Sequence, residues 1–170
     1  MMRLLGAVLV IAGCGALGLG AVARLEGRVR DLGEVAAGLD ALQRELGWRL
    51  APLPQALEGA ARAVRGPAAD FFARCARRTR SPEGQAFQEI WREELERACL
   101  RLKMEDRVLL DRLGGVLGRY DGDSQRLALE DAAAGLRTLQ GAAAEDRSRL
   151  GRVYGVLGAA GGLLAVILLL

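Results

Sequence analysis

The 170 residues are 51% hydrophobic and 26% charged, and the 24 basic residues against 21 acidic ones give a net charge of +3. Because the two signs alternate along predicted helices and aromatic residues make up only 4%, we expect no nucleic-acid surface. Histidine is absent, and so are the serine-hydrolase elbow and the phosphate-binding loop. The sequence therefore predicts a non-catalytic protein with no metal, cofactor or small-molecule substrate.

The N-terminal stretch 4–23 carries no charge and is long enough to cross a membrane. It has three possible interpretations. Ala21-Val22-Ala23 would suit cleavage of a signal peptide, Cys14 could end a lipoprotein signal, and an uncleaved helix would simply span. Basic residues mark the cytoplasmic side, and Arg24, Arg28 and Arg30 follow the stretch. We therefore expect an anchor, with an extracytoplasmic lipoprotein or cleaved-signal interaction protein as the alternative.

The segment 24–49 continues this helix. Leucines recur every seven residues at Leu25, Leu32, Leu39 and Leu46. This heptad spacing predicts a seam against another helix of matching pattern.

Four shorter helices are predicted between residues 52 and 120. The first opens at Pro52 and ends before Gly66, and the second covers 68–78. The third is capped near Ser81 and runs to about residue 102, and the fourth covers 104–120. We expect their buried faces to include Phe71, Phe72, Trp91, Leu95, Cys99, Val108 and Leu113.

A group of arginines ends the second of these helices. We call Arg74, Arg77, Arg78 and Arg80 the basic cluster. Solvated cations at a helix C-terminus would offset its dipole, whereas exposed guanidinium groups could dock an acidic partner. Both interpretations remain open from the sequence.

The last predicted helix is the longest, 124–170, and contains no proline. Apolar residues follow helical spacing at Leu129, Ala132, Leu136, Leu139, Ala143 and Leu150. Residues 153–170 are uncharged, and Arg147, Arg149 and Arg152 precede them. We therefore predict a transmembrane helix at 4–23, a soluble cytoplasmic helical-bundle domain at 24–152, and a second transmembrane helix at 153–170.

Small residues form a stripe in each predicted span. They are Ala12, Ala16 and Gly20 in the first, and Gly151, Gly155, Gly158 and Gly162 around the second. Such stripes let helix backbones approach closely in lipid, so we expect them to pack against each other or against a partner.

The three cysteines do not form a disulfide framework. Cys14 lies in an apolar run, and Cys75 and Cys99 lie on predicted helices with no second cysteine at metal-binding spacing. We expect free, buried thiols in a reducing compartment.

Over nearly its whole length the chain resembles the stage III sporulation protein AB family of endospore-forming bacteria. The resemblance rests on the order and spacing of Leu4-Leu5-Gly6-Ala7, the leucine-spaced helix, Pro52-Leu53, Ala56, Leu113-Gly114, Leu117-Gly118, Asp121, Gln125 and the apolar tail. Ala51 departs from it, since a small hydroxyl residue is expected there.

This resemblance implies a six-helix antiparallel bundle whose first and last helices continue into the membrane, similar to the cytoplasmic domain of type II secretion inner-membrane platform proteins. It also implies a place in the mother-cell membrane facing the forespore, within a channel-like apparatus required for sporulation. The implied partners are a cytoplasmic secretion-type ATPase, the stage III sporulation protein AA, and the other membrane components.

Overall fold

The computed structural model describes residues 2–47, 50–81, 84–117 and 122–169, with only the helical backbone described for most of 2–22 and 152–169. These residues form six α-helices and no strand. The helices are α1 (Met2–Gly47), α2 (Leu53–Ala63), α3 (Gly66–Thr79), α4 (Phe87–Arg97), α5 (Met104–Leu117) and α6 (Gly122–Leu169). The predicted all-α class and the six segments are confirmed.

The chain divides into two compact units. One is Arg28–Gly141, and the other combines the two ends, Met1–Gly27 and Ala142–Leu170. Within the second unit an ion pair of 2.8 Å joins Arg147 to Glu26. In the part of the chain that is described, no helix holds a stretch apolar and long enough to cross a membrane. The continuation of α1 and α6 into membrane helices stays a prediction.

In the unit Arg28–Gly141, α1 and α6 run antiparallel along the predicted seam. Near one end the Gln140 side-chain amide donates to the carbonyl of Val29 at 3.2 Å, and near the other the Gln43 amide donates to Glu130 at 2.6 Å. The seam is filled by the predicted leucines Leu32, Leu39, Leu129 and Leu136, all of them buried. Heptad spacing therefore located this interface correctly.

A second core lies where α3, α4 and α5 meet. The rings of Phe71 and Trp91 pack edge to face, with centroids 4.7 Å apart, and the Trp91 indole donates to the Leu110 carbonyl at 2.8 Å. Gly38 and Gly114 lie directly against the rings of Phe72 and Trp91, so a Cβ at either glycine would collide with a ring. These glycines let helix backbones approach the aromatic core closely.

The fourth helix is shorter than predicted at both ends. It begins at Phe87 rather than near Ser81, because Gly84 has a φ of +68°, a left-handed conformation that a right-handed helix cannot contain. It ends at Arg97 rather than near residue 102. Beyond it the backbone N–H groups of Arg101 and Lys103 donate to the carboxylates of Asp31 and Asp106, at 2.8 and 2.7 Å. The bond to Asp31 is a tertiary contact with α1, the bond to Asp106 is a local one at the start of α5, and together they take the place of helical hydrogen bonds at these two N–H groups.

Two residues that the sequence predicts to be buried in the short helices are exposed. Cys99 lies beyond the end of α4 and is exposed, so the prediction that its thiol is buried is wrong. On α5, Val108 is 44% exposed, whereas Leu110, which the prediction omitted, is fully buried. The inward stripe of α5 is Asp106, Leu110, Leu113 and Leu117.

The turn after α1 contains an unusual backbone conformation. Leu50 has a φ of +49°, and the N–H of Ala51 bonds back to the carbonyl of Glu45 at 3.1 Å. The bond closes a turn of seven residues, and a left-handed position just beyond a helix end normally holds glycine. A leucine there costs about 1–2 kcal/mol, and its side chain is 83% exposed.

Candidate functional site

The described residues contain clusters of charged side chains but no group of side chains arranged for catalysis or metal binding. They contain no group of three or more histidine, cysteine or carboxylate side chains placed to hold a metal. Every buried side-chain nitrogen or oxygen among them has a hydrogen-bond partner. Two charge clusters, one around Glu94 and one around Asp106, hold buried carboxylates against arginine side chains, and a third buried carboxylate, Asp31, lies 3.8 Å from Arg101.

The basic cluster predicted from sequence lies against α4. Arg74 donates through Nε to Glu94 at 2.8 Å, and Arg78 donates to Glu93 at 2.8 Å and to Glu94 at 3.0 Å. Arg97, from α4 itself, adds a contact of 3.2 Å to Glu94. Two of the four predicted docking arginines are therefore engaged in fastening α3 to α4.

Glu94 is the centre of this network, and its side chain is 3% exposed. Burial opposes its ionisation, but hydrogen bonds from Arg78 and Arg74 outweigh burial and hold the pKa of Glu94 below its ordinary value. The hydrogen bonds to Glu93 and Glu94 raise the pKa of Arg78. The carboxylate therefore stays charged at neutral pH.

The remaining two arginines of the basic cluster are directed outward. Arg80 is about half exposed and pairs with Glu58 of α2 at 2.6 Å. Arg77 is exposed, and no ion pair or hydrogen bond to its side chain occurs within the described chain. Docking by the basic cluster stays a prediction, and Arg77 and Arg80 are the two members that the fold displays.

The second charge cluster joins α1 to the start of α5. Arg28 donates two hydrogen bonds to Asp106, at 3.0 and 2.8 Å, and one to Glu105 at 2.9 Å. Asp106 is fully buried and Arg28 is 7% exposed. The hydrogen bond to Asp106 outweighs burial and raises the pKa of Arg28. Arg28 therefore stays ionised inside the fold.

Sequence reasoning missed these buried charges, although each lies on the apolar stripe of its own helix. Glu94 shares the inward face of α4 with Ile90, Trp91 and Leu95. Arg28 precedes Leu32, Val35 and Leu39 at helical spacing, and Asp106 precedes Leu110, Leu113 and Leu117. A charged residue at a position that belongs to the apolar face of its helix is the sequence feature that could have predicted each buried charge.

The small-residue stripes fall mostly outside the residues whose surroundings are described. Ala12 and Ala16 lie in α1, and Gly155, Gly158 and Gly162 lie in α6, but their side-chain environments are among the undescribed ones. Gly20 and Gly151 each have open space where a Cβ would stand. Helix packing through these stripes stays a prediction.

The two described cysteines have different surroundings. Cys75 is fully buried in α3, and this burial raises the pKa of its thiol, which keeps the sulfur protonated and unreactive. Cys99 is exposed in the segment between α4 and α5. Of these two thiols, a reagent can reach that of Cys99 but not that of Cys75.

Comparison with known proteins gives a consistent result. A family described as "Stage III sporulation protein AB (spore_III_AB)" matches residues 3–170. A solved structure described as stage III sporulation protein AB (SpoIIIAB) has a TM-score of 0.66 and 22% sequence identity, covering 72% of this chain and 98% of that chain. At that identity the likeness shows the fold alone. No curated protein matches the sequence. Because the family match covers residues 3–170, the chain belongs to the stage III sporulation protein AB family.

Proposed function

We propose that this sporulation protein is a non-catalytic membrane platform in a secretion-like channel apparatus between mother cell and forespore. In this role it would couple a cytoplasmic ATPase, stage III sporulation protein AA, to the other membrane components. The observation that carries the proposal is the family match over residues 3–170, which supports a role in sporulation. The all-helical fold is compatible with the scaffold that the sequence resemblance implies.

The proposed membrane attachment uses both ends of the chain. The uncharged stretches 4–23 and 153–170 would each span, and arginines flank the inner end of each stretch. The helices α1 and α6 are continuous through these stretches as far as Leu169, which supports helical spans. The unit Arg28–Gly141 would then face the cytoplasm.

The exposed cysteine allows this topology to be tested without adding a reporter. We expect a membrane-impermeant maleimide to leave Cys99 unlabelled in wall-stripped intact cells and to label it after permeabilisation. Cys14→Ala removes the thiol within the first predicted span, and buried Cys75 serves as an internal control that reacts only after denaturation. Labelling of Cys99 in intact cells would instead favour the extracytoplasmic alternative.

The proposed ATPase contact uses the displayed members of the basic cluster, Arg77 and Arg80. Reversing Arg74 and Arg78 would disturb the α3–α4 junction as well as any docking surface. The discriminating variant is therefore Arg77→Glu/Arg80→Glu. Because an exposed ion pair is worth about 0–1 kcal/mol, we expect this double reversal to weaken binding by roughly tenfold at low salt.

The measurement uses the full chain in detergent and the purified ATPase, at low and high salt. A reversal at exposed Arg126 of α6, Arg126→Glu, provides the matched control. Circular dichroism checks that all variants keep their helicity. Equal affinity for the parent and the double variant would exclude this docking surface, and lack of binding by the parent would exclude the ATPase partnership.

A further inference from the structure

An open groove of about 440 Å³ runs between α4 and α5 on the surface of the unit Arg28–Gly141. Arg107 of α5 donates to the carbonyl of Leu95 at 3.2 Å, and Asp111, one turn further along α5, pairs with Arg92 at 2.8 Å. Because the later residue of α5 meets the earlier residue of α4, the two helices are antiparallel. A groove between two such helices has the shape into which a third helix packs.

Apolar side chains line part of this groove. Leu95 is buried beneath it, whereas Met104 and Val108 are 77% and 44% exposed. Met104 and Val108 lie one helical turn apart and therefore share one side of α5. Covering them would remove apolar surface from water, and the flexible thioether of methionine adapts to the shape of what covers it.

The groove carries more positive than negative charge. Its lining contains three arginines and two carboxylates, namely Arg92, Arg107, Arg112, Glu96 and Asp111. Both carboxylates lie near Arg92, since Asp111 pairs with it directly and Glu96 interacts with it electrostatically from one turn away on α4. Arg107 donates to a backbone carbonyl and Arg112 is exposed, and neither meets a carboxylate within the described residues. The α5 side of the groove therefore carries two cations without counter-charges.

We propose that this groove binds an amphipathic helix of another protein, one that carries carboxylates beside its apolar face. The apolar face covers Met104 and Val108, and the carboxylates pair with Arg107 and Arg112. A basic helix would leave both arginines unpaired and repel them. The lining includes no residue of the basic cluster, so this surface is separate from the one proposed for the ATPase contact.

Two designed helical peptides test the charge of the occupant. Both have the same leucine face, and one carries glutamates beside it where the other carries lysines. Binding to the full chain in nanodiscs of zwitterionic lipid is measured by fluorescence anisotropy, with empty nanodiscs as the blank. Because two exposed ion pairs become two repulsions, we expect the glutamate peptide to bind about tenfold more tightly than the lysine peptide at low salt. Raising the salt concentration should reduce this difference.

Two groove variants separate the apolar contribution from the charged one. Met104→Glu/Val108→Glu places carboxylates on the apolar strip, and we expect it to weaken binding of the glutamate peptide about tenfold or more. Arg107→Gln/Arg112→Glu removes both cations, while glutamine can still donate to the Leu95 carbonyl. This variant should lose its preference for the glutamate peptide and bind the lysine peptide about tenfold more tightly than the parent does.

Two further variants are matched controls. Leu127→Glu introduces the same charge at a residue of α6 that is 56% exposed and lies outside the groove. Arg77→Glu/Arg80→Glu alters the surface proposed for the ATPase contact. Both should bind the two peptides as the parent does, so failure of the groove proposal is distinguishable from failure of the ATPase proposal. Circular dichroism checks that every variant keeps its helicity.

A gain of binding gives the strongest support. If Arg107→Gln/Arg112→Glu binds the lysine peptide more tightly, the groove is the site, because a misfolded variant would not gain a ligand. The proposal is overturned if the parent does not bind the glutamate peptide, if it binds both peptides equally, or if the groove variants behave like Leu127→Glu. It is also overturned if Met104→Glu/Val108→Glu abolishes chemical crosslinking between copies of the chain and leaves peptide binding unchanged, since the occupant would then be a second copy.

Discussion

Asp106 and Glu94 are both carboxylates buried in the same helical unit, but they are neutralised in different ways. Asp106 accepts hydrogen bonds from one arginine, Arg28, and from the backbone N–H of Lys103. Glu94 accepts from three arginines, Arg74, Arg78 and Arg97. One buried acid depends on a single cation, whereas the other shares three.

The two sites also differ in how far their arginine side chains are exposed to solvent. The side chains of Arg28 and Asp106 are 8% and 0% exposed, so water cannot replace a lost partner there. The three arginines at Glu94 are 26% to 63% exposed, so water and the remaining guanidinium groups can compensate for one loss. A buried ion pair contributes little relative to apolar residues, but losing half of it is costly. We therefore expect the loss of one arginine to lower the free energy of unfolding strongly at Asp106 and only slightly at Glu94.

The largest effect is expected at the single-cation pair. Arg28→Met leaves the Asp106 carboxylate buried without a cation, and we expect a loss of about 3–5 kcal/mol in the free energy of unfolding. Denaturant unfolding of the full chain, followed by circular dichroism, measures it. Arg30→Met removes an exposed arginine two residues along the same helix, and it should cost less than about 0.5 kcal/mol.

A paired substitution separates this explanation from simple loss of packing. Arg28→Met/Asp106→Asn removes both charges, while the asparagine oxygen can still accept the Lys103 N–H. We expect the double variant to be more stable than Arg28→Met alone, because no buried charge is left unpaired. Equal instability of the two variants would show that the arginine stem, rather than its charge, stabilises this junction.

The next effect tests redundancy at Glu94. Arg74→Met and Arg78→Met should each cost about 1 kcal/mol or less, because two guanidinium groups remain in each case. The double variant should cost about 2–3 kcal/mol, more than the sum, since only Arg97 remains. A double-mutant cycle by denaturant unfolding measures the difference, with Arg77→Met as the exposed control. Strict additivity would contradict a shared network.

The α1–α6 seam and the basic cluster show which features could be predicted from the sequence and which could not. Heptad spacing located the seam containing Leu39 and Leu136 because both sides of it are long and regularly periodic. The basic cluster was identified from local sequence as a charged helix end. Its contacts were not predictable in the same way, because the acids that Arg74 and Arg78 meet lie on another helix.

The segment after α4 shows why the end of a helix cannot always be predicted from the local sequence pattern. Residues 98–102 continue a helical sequence, but their backbone is held by a carboxylate that is 70 residues away in the chain, Asp31. A hydrogen bond between residues so far apart cannot be predicted from the residues that neighbour either one in the sequence. The early end of α4 and the exposure of Cys99 both follow from it. The buried charges, by contrast, could have been found from their phase on apolar stripes.

The smallest expected effect concerns pH. Because the folded-state pKa of Glu94 is lowered, its contribution to stability is present above the ordinary glutamate pKa of about 4.3 and is lost as pH falls through the folded-state value. At pH 7, Glu94→Gln should therefore cost about 1 kcal/mol through weakened hydrogen bonds to the arginines. As the solution is acidified, protonation makes the parent resemble the variant, and the difference in unfolding free energy should shrink.

Unfolding curves for the parent and Glu94→Gln, collected from neutral to acidic pH, measure this convergence. Glu89→Gln, at an exposed position on the same helix, should follow the parent across the range. If the gap between the parent and Glu94→Gln stayed constant down to strongly acidic pH, the stabilisation would come from the shape of the side chain. The arginines would then surround Glu94 without depending on its charge, and the contrast with Asp106 would lie in packing rather than in the number of cations.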